Sequence, residues 1–372
     1  MNTGAHNHES GNFDIAAAFK EGLAQARKEE AALNIMLAGR PGVGKSTLVN
    51  AIFGRTIAPV GTGAPVTKEI TAYRIPNLPV TVYDTPGFEL GKSATEVANY
   101  FSAEVKKRVT AEGSEVHFAL YCSLAAGSRV EDFEADLVRA LASQVETAFV
   151  LTQCLDKEAK EVKDLQAYIN TLRLPIVGRR TFPVMAEKKQ ITLVGHTIGV
   201  DPFGLDELTR ALTGVLHQAR RRTFISRQRV NLELKVEAAK DIVTETVVEA
   251  AAIAAIPIPV YDIAPLSALQ VAMLARITRV MGFAVEPKSV AAACTAVVGA
   301  GTAARSASSF LKVFFPIIGS VVNAAVAGST TYAMGSAYIK ACETLLQRQI
   351  AGAEIDQSDI VGELVKEWKQ AH

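Results

Sequence analysis

Apolar residues Phe13, Ile15, Ala16, Phe19 and Leu23 recur at helical spacing with charge on the opposite side, which predicts an amphipathic helix over residues 12–32. The pattern then changes. Residues 33–38 form a short continuous apolar run, the signature of a strand buried on both faces. Residues 68–75 and 78–83 are β-rich runs split by Pro76 and Asn77, which suggests a hairpin. Further buried strands are expected at 116–122 and 147–152, with a shorter candidate at 180–184. Helical stretches are expected between and after them, at 46–53, 94–111, 131–142, 156–172 and 205–222. Strands alternating with helices imply an α/β domain, a mostly parallel sheet covered by helices on both faces.

Near Arg220 the pattern shifts again. Five arginines fall between Arg220 and Arg229, and beyond them the chain is rich in Ala and Val and reads as helix almost to its end. Pro257 and Pro259 break the first long helix, and Pro287 and Pro316 mark later turns. The division expected is a helical extension at 1–32, an α/β domain at 33–222 and an all-α hydrophobic domain at 223–372. From 313 to 339 no residue carries a formal charge, a length that could span a bilayer. Pro316, Ser320, Asn323, Ser329, Thr330 and Thr331 temper that run, and small residues Gly319, Ala324, Gly328 and Gly335 permit close helix approach. A packed hydrophobic bundle and attachment to a membrane are the two readings, the first favoured by Arg305 and Lys312 and by the lack of an aromatic belt.

Hydrophobic residues make up 49% of 372, enough for a large core. The net charge of +1 gives no global electrostatic case for a nucleic-acid partner. Cys122, Cys154, Cys294 and Cys342 lie far apart without metal-ligand spacing, so buried reduced thiols in a cytoplasmic protein are expected. No histidine spacing suggests a metal site, and the polar first ten residues lack a signal-peptide pattern. The arginine cluster reads as a solvated helix face that completes the helix dipole and pairs across the domain boundary, with an anionic-membrane or RNA contact as the competing reading.

The candidate chemistry begins at Gly39-Arg40-Pro41-Gly42-Val43-Gly44-Lys45-Ser46, which fits G-x-x-x-x-G-K-[ST] and stands between an apolar strand and an apolar helix. Successive N–H groups of such a loop converge on a polyphosphate, aided by the positive end of the helix dipole. Lys45 is expected to reach the terminal phosphates and Ser46 to hold Mg²⁺, with Thr47 completing the loop. Asp84-Thr85-Pro86-Gly87 follows about 40 residues later. Asp84 ends a strand, where ligands bind in open α/β sheets, and Gly87 offers an N–H to the terminal phosphate. Between the two lies a Gly- and Pro-rich loop ending in Thr67, the preferred hydroxyl for the metal shell over Thr62.

In order and spacing these motifs resemble the translation-factor-related GTPases, within them the Era-like and septin-like branch, over residues 33–222. The segments 254–259, 262–266 and 270–276 resemble a helical domain of unknown function that follows the GTPase domain in some bacterial Era-like proteins; the layout is also similar to that of the immunity-related GTPases. The resemblance implies a Ras-like fold, binding of GTP or GDP with Mg²⁺, and slow hydrolysis in which Lys45 and Thr67 take part. The leading expectation is a nucleotide-controlled switch or self-assembling protein, as a homodimer or higher oligomer, with residues 223–372 serving a protein or membrane partner. A ribosome- or RNA-associated assembly factor is the alternative, and a nucleotide-binding scaffold with negligible turnover a third.

Three departures stand out. Thr152-Gln153-Cys154-Leu155-Asp156 occupies the place of the base-reading [Asn/Thr]-Lys-x-Asp, so Gln153 replaces a lysine and Asp156 comes one residue late. Asp156 either reads guanine or caps the next helix; Ala186 matches the family's second base loop. Phe88 stands where a glutamine would orient water, and Gly42 replaces an asparagine that helps some relatives bind potassium. Low intrinsic hydrolysis without potassium stimulation is the expectation.

Overall fold

The computed structural model describes residues 14–59, 70–74, 78–85, 115–127, 130–193, 196–255, 264–283, 324–350 and 352–355, with single positions at 96, 103, 107, 359, 362, 363, 366 and 367. The chain divides into two compact units, Glu30–Asn231 and a second built from Met1–Glu29 together with Leu232–His372. This division differs from the one read off composition. The arginine-rich helix belongs to the α/β unit, because Phe224 is fully buried there among Phe53 and Phe118. The N-terminal helix belongs with the C-terminal helices, because its apolar stripe packs on one of them.

In the α/β unit six strands form one sheet in the order β2-β3-β1-β4-β5-β6. They are β1 (Leu33–Gly39), β2 (Thr71–Arg74), β3 (Val80–Asp84), β4 (Phe118–Leu124), β5 (Thr147–Thr152) and β6 (Thr181–Pro183). Only β2 runs antiparallel, pairing Thr71 with Asp84 and Arg74 with Thr81 to make the expected hairpin. Every residue of β1 and β5 is buried. The reason is that helices cover both faces. Leu33, Ile35 and Leu37 meet α2 (Lys45–Phe53), α5 (Leu205–Val215) and α6 (Gln218–Arg227). Met36 and Ala38 point the other way, toward α3 (Asp132–Ala142) and α4 (Lys160–Thr171). A strand covered on both faces reads as a mostly continuous apolar run, and its few polar members are buried, as Asn34, Thr147 and Thr152 are.

Three features depart from the sequence reading. The predicted helix over 205–222 is two helices, separated where His217 adopts extended backbone to cap α6. Residues 189–200, left without an element, form a separate antiparallel pair, β7 (Lys189–Leu193) and β8 (His196–Val200), with Ile191 opposite Ile198. The arginines pair within this unit: Arg227 meets Glu30 at 2.8 Å with both side chains almost fully buried, and Arg220 meets Glu115 at 3.1 Å.

The second unit contains α1 (Ile15–Lys28), α7 (Leu232–Ala255), α8 (Ala264–Met281) and α9 (Ala324–Ile350). Asp14 caps α1 by accepting the Ala17 N–H at 3.0 Å. Phe19, Val243, Met273, Ile277, Met334, Cys342 and Leu345 form the shared core. Small residues set the helix spacing: a Cβ on Gly335 would stand 2.5 Å from Val243, and one on Gly22 would stand 2.7 Å from the Ala272 Cα. Buried polar side chains pair across the bundle, Gln270 with Thr331 at 2.8 Å and Thr278 with Tyr338 at 2.6 Å. Among the described residues no helix is long and apolar enough to cross a membrane. The uncharged run 313–339 is described only from residue 324, where it forms the start of α9; residues 289–304, the helix expected over 94–111 and Cys294 likewise lie mainly or wholly outside the described residues. Cys122, Cys154 and Cys342 are buried free thiols.

Candidate functional site

The site sits at the carboxyl ends of β1, β3 and β4, where successive connections leave β1 toward opposite edges of the sheet. Gly39 ends β1 and starts the phosphate loop with φ of 135°, and a Cβ there would lie 2.2 Å from the Cys122 carbonyl of β4. Only glycine lets the loop leave the sheet so close to the neighbouring strand. Gly44 closes the loop in the left-handed region and α2 begins at Lys45. Pro41 and Gly42 are exposed, and Gly44, Ser46 and Thr47 are half-buried.

The loop's carbonyl groups are tied back from the mouth. The Lys45 Nζ donates to the carbonyls of Gly39 and Arg40, each at 3.1 Å. The Gln153 Nε2 donates to the Gly42 carbonyl at 3.0 Å. The Thr152 hydroxyl donates to the Val43 carbonyl, and also to that of Ser123 at 3.0 Å. With these acceptors engaged, main-chain N–H groups are what the loop has left to offer an anion. Lys45 is 9% exposed, so its ammonium is already desolvated beside the mouth.

Asp84 ends β3 at the register of Leu37 and is 7% exposed. Thr85 follows it, fully buried, with its hydroxyl on the Leu37 carbonyl at 2.7 Å. The Ser46 hydroxyl and the Asp84 carboxylate are hard oxygen donors, the set that suits Mg²⁺. No group of three or more His, Cys, Asp or Glu residues suited to a metal occurs among the described residues. A cation here would therefore take much of its shell from phosphate oxygens and water, as Mg²⁺ prefers. Burial pushes the Cys122 thiol, under the loop, up to about 12, so it stays protonated and inert.

The structure brings Thr152 and Gln153 to the phosphate loop. Asp156 is exposed, and its Oδ1 accepts the Glu158 N–H at 2.8 Å, a local turn before α4. Leu155, at the place where the family pattern has its carboxylate, is 44% exposed. Ala186 is half-buried and follows Met185, which bridges to Phe203. Thr67, Gly87 and Phe88, together with Thr62, lie outside the described residues.

Arg40 does something that loop spacing alone did not reveal. Its guanidinium meets Glu131 at 2.7 Å and Glu134 at 3.4 Å, at the first turn of α3. The two glutamates form a capping box there, a signal legible in sequence as Glu-x-x-Glu before an apolar helix. Tyr121 of β4 donates its hydroxyl to Glu134 at 2.9 Å, and burial first, then the Glu134 charge, keeps that phenol protonated well above its ordinary range.

A protein-family model described as 50S ribosome-binding GTPase matches residues 34–177. The tRNA modification GTPase MnmE of Acidiphilium cryptum is 32% identical over 126 residues, which is 33% of this chain and 28% of that protein. MnmE of a Janthinobacterium species is 44% identical over 66 residues, 17% of this chain and 14% of that protein. The chain thus spans less than a third of the length of these curated relatives. Among solved structures, Era of Aquifex aeolicus aligns at 21% identity and a TM-score of 0.35, over 50% of this chain and 56% of Era. Toc33 of Arabidopsis thaliana aligns at 16% identity and a TM-score of 0.36, over 55% of this chain and 96% of Toc33. With its phosphate loop, its strand-end aspartate and this family match, the stretch of chain over residues 34–177 is a P-loop GTPase domain.

Proposed function

We propose that the full chain binds GTP and GDP with Mg²⁺, hydrolyses GTP slowly, and uses the nucleotide state as a switch or assembly signal read through its helical unit. The observation that carries this is the tied-back phosphate loop with the Lys45 ammonium held at 3.1 Å from two of its carbonyls. In this reading the N–H groups of residues 42–47 and the Lys45 ammonium bind the phosphates, with Gly39, Arg40 and Pro41 shaping the loop, and Lys45 stabilises charge on the terminal group. Ser46 and Asp84 hold Mg²⁺, joined by Thr67; the cation when bound neutralises charge on the β- and γ-oxygens. Gly87 supplies an N–H to the terminal phosphate. Thr152, Gln153, Asp156 and Ala186 border the base, with Gln153 latching the base loop to the phosphate loop. Slow turnover is supported by Phe88, which has no group able to orient water.

The test is a titration of GTP against ATP on the full chain, with Lys45→Ala as the decisive variant. Wild type should prefer GTP and the variant should lose triphosphate binding by about a hundredfold or more. Unchanged affinity in Lys45→Ala would sink the assignment. A second reading, a ribosome- or RNA-associated factor, is favoured by the family description and by the names of the relatives. GTP-dependent co-sedimentation with ribosomal subunits would support it; GTP-dependent self-association without them supports the first.

A further inference from the structure

Arg40 is the second residue of the phosphate loop, and its side chain is directed at the start of α3. It lies 2.7 Å from Glu131 Oε1, 3.4 Å from Glu134 Oε1 and 5.1 Å from the centroid of the Phe133 ring. Glu134 is the fixed member of this group. It is 3% exposed, its Oε1 also accepts the Tyr121 hydroxyl, and its Oε2 accepts the Glu131 N–H at 3.0 Å. A carboxylate so buried is held in one orientation by the Tyr121 hydroxyl of β4 and the Glu131 N–H at the start of α3, so it makes a rigid anchor. Arg40 itself is about one third exposed, and its planar fork reaches from the loop to that anchor.

We infer that Arg40 is a positioning residue: anchored on Glu134, it holds the main chain of residues 40–44 in the curve that a polyphosphate needs, and its guanidinium does not touch the phosphates. The inference rests on the nucleotide reading given above. Within residues 40–44 two glycines stand at positive φ, Gly42 at 76° and Gly44 at 95°, and glycine backbone is the most costly to order. A loop fixed before the ligand arrives avoids that cost on binding. Thr152 and Gln153 fix it on the β5 side, and Arg40 fixes it on the α3 side. A consequence is that any partner displacing the first turn of α3 changes nucleotide affinity.

The experiment is a titration of the full chain with a fluescent-labelled GTP for wild type, Arg40→Ala, Arg40→Lys, Glu134→Gln and the Arg40→Ala/Glu134→Gln double variant. Arg40→Ala and Glu134→Gln should each weaken binding about tenfold, and the double variant should be no weaker than the worse single. Arg40→Lys should recover part of the loss. Where Glu134→Gln fails to fold, Tyr121→Phe replaces it, removing one bond to the anchor and giving a smaller loss of the same sign. Three outcomes overturn the inference: wild-type affinity in Arg40→Ala; loss in Arg40→Ala with none in Glu134→Gln or Tyr121→Phe, which removes Glu134 as the anchor; or losses that multiply in the double variant. Lys45→Ala, run alongside, separates the two layers. If it binds normally the nucleotide reading fails; if it loses binding while Arg40→Ala does not, only the positioning role fails.

Discussion

Acidification from pH 7 to pH 5 should loosen the sheet at the end remote from the phosphate loop, through one histidine. His117 precedes β4 with its side chain 7% exposed, and its Nδ1 accepts the Asn34 N–H of β1 at 2.8 Å. Its own N–H donates to the Asn34 carbonyl at 2.9 Å. The neighbouring charges are Glu115, 3.8 Å from its Nε2, and Arg220, which pairs with that glutamate. Burial, and secondarily the Arg220 charge, lowers its pKa from 6.5 to about 4. The unfolded chain therefore takes up a proton below pH 6.5 that the folded chain refuses, so the contribution is full above that pH and is lost as pH falls. The gap corresponds to about 3 kcal/mol in total, of which about 2 kcal/mol is lost by pH 5. Hydrogen exchange of protected β1 and β4 amides, corrected for intrinsic rates, measures the opening free energy of this unit alone. Wild type should drop between pH 7 and pH 5 by about 2 kcal/mol more than His117→Asn, because other titrations cancel in the comparison. Equal drops, or a His117 ring that titrates near 6.5 by NMR, would refute the reasoning.

Two further outcomes follow from packing. Gly39→Ala places a methyl 2.2 Å from the Cys122 carbonyl at a φ of 135°, so the loop must shift; about 3 kcal/mol of stability and most nucleotide binding should go, as read by thermal melting and titration. Arg227→Met leaves Glu30 buried without its cation, their side chains being 10% and 5% exposed, and should cost about 3 kcal/mol in urea unfolding, whereas Arg227→Met with Glu30→Leu should recover much of it.

The strands β1, β4 and β5 were legible because a sheet covered on both faces is filled mostly by apolar side chains, with only a few satisfied polar positions such as Asn34, Thr147 and Thr152. The phosphate loop was legible because its glycines answer a local backbone demand, at Gly39 one imposed by the adjacent strand. The β7–β8 pair carries a readable alternation in Ile191, Ile198 and Val200, but it is short and mostly exposed, so its apolar signal is weak. The break at His217 was hidden because apolar helical spacing continues across it, and only the burial of Phe224 on the sheet sets the new direction. The anchor of Arg40 was half legible. The paired glutamates announce a helix start, but their cation lies about 90 residues earlier, a meeting that only the fold produces. Asp156 carries a local turn, its Oδ1 on the Glu158 N–H, which sequence spacing does not distinguish from a carboxylate set to read a base.

The membership of α1 in the second unit has a consequence for biosynthesis. Its packing partner α8 is translated about 250 residues later, an interval of tens of seconds at roughly 5–20 residues per second. The nucleotide-binding unit, Glu30–Asn231, is continuous in sequence and is synthesised entirely within that interval. Phe19 and its neighbours must wait as an amphipathic segment until that partner is made, which marks the nascent α1 segment as a natural place for a chaperone to act.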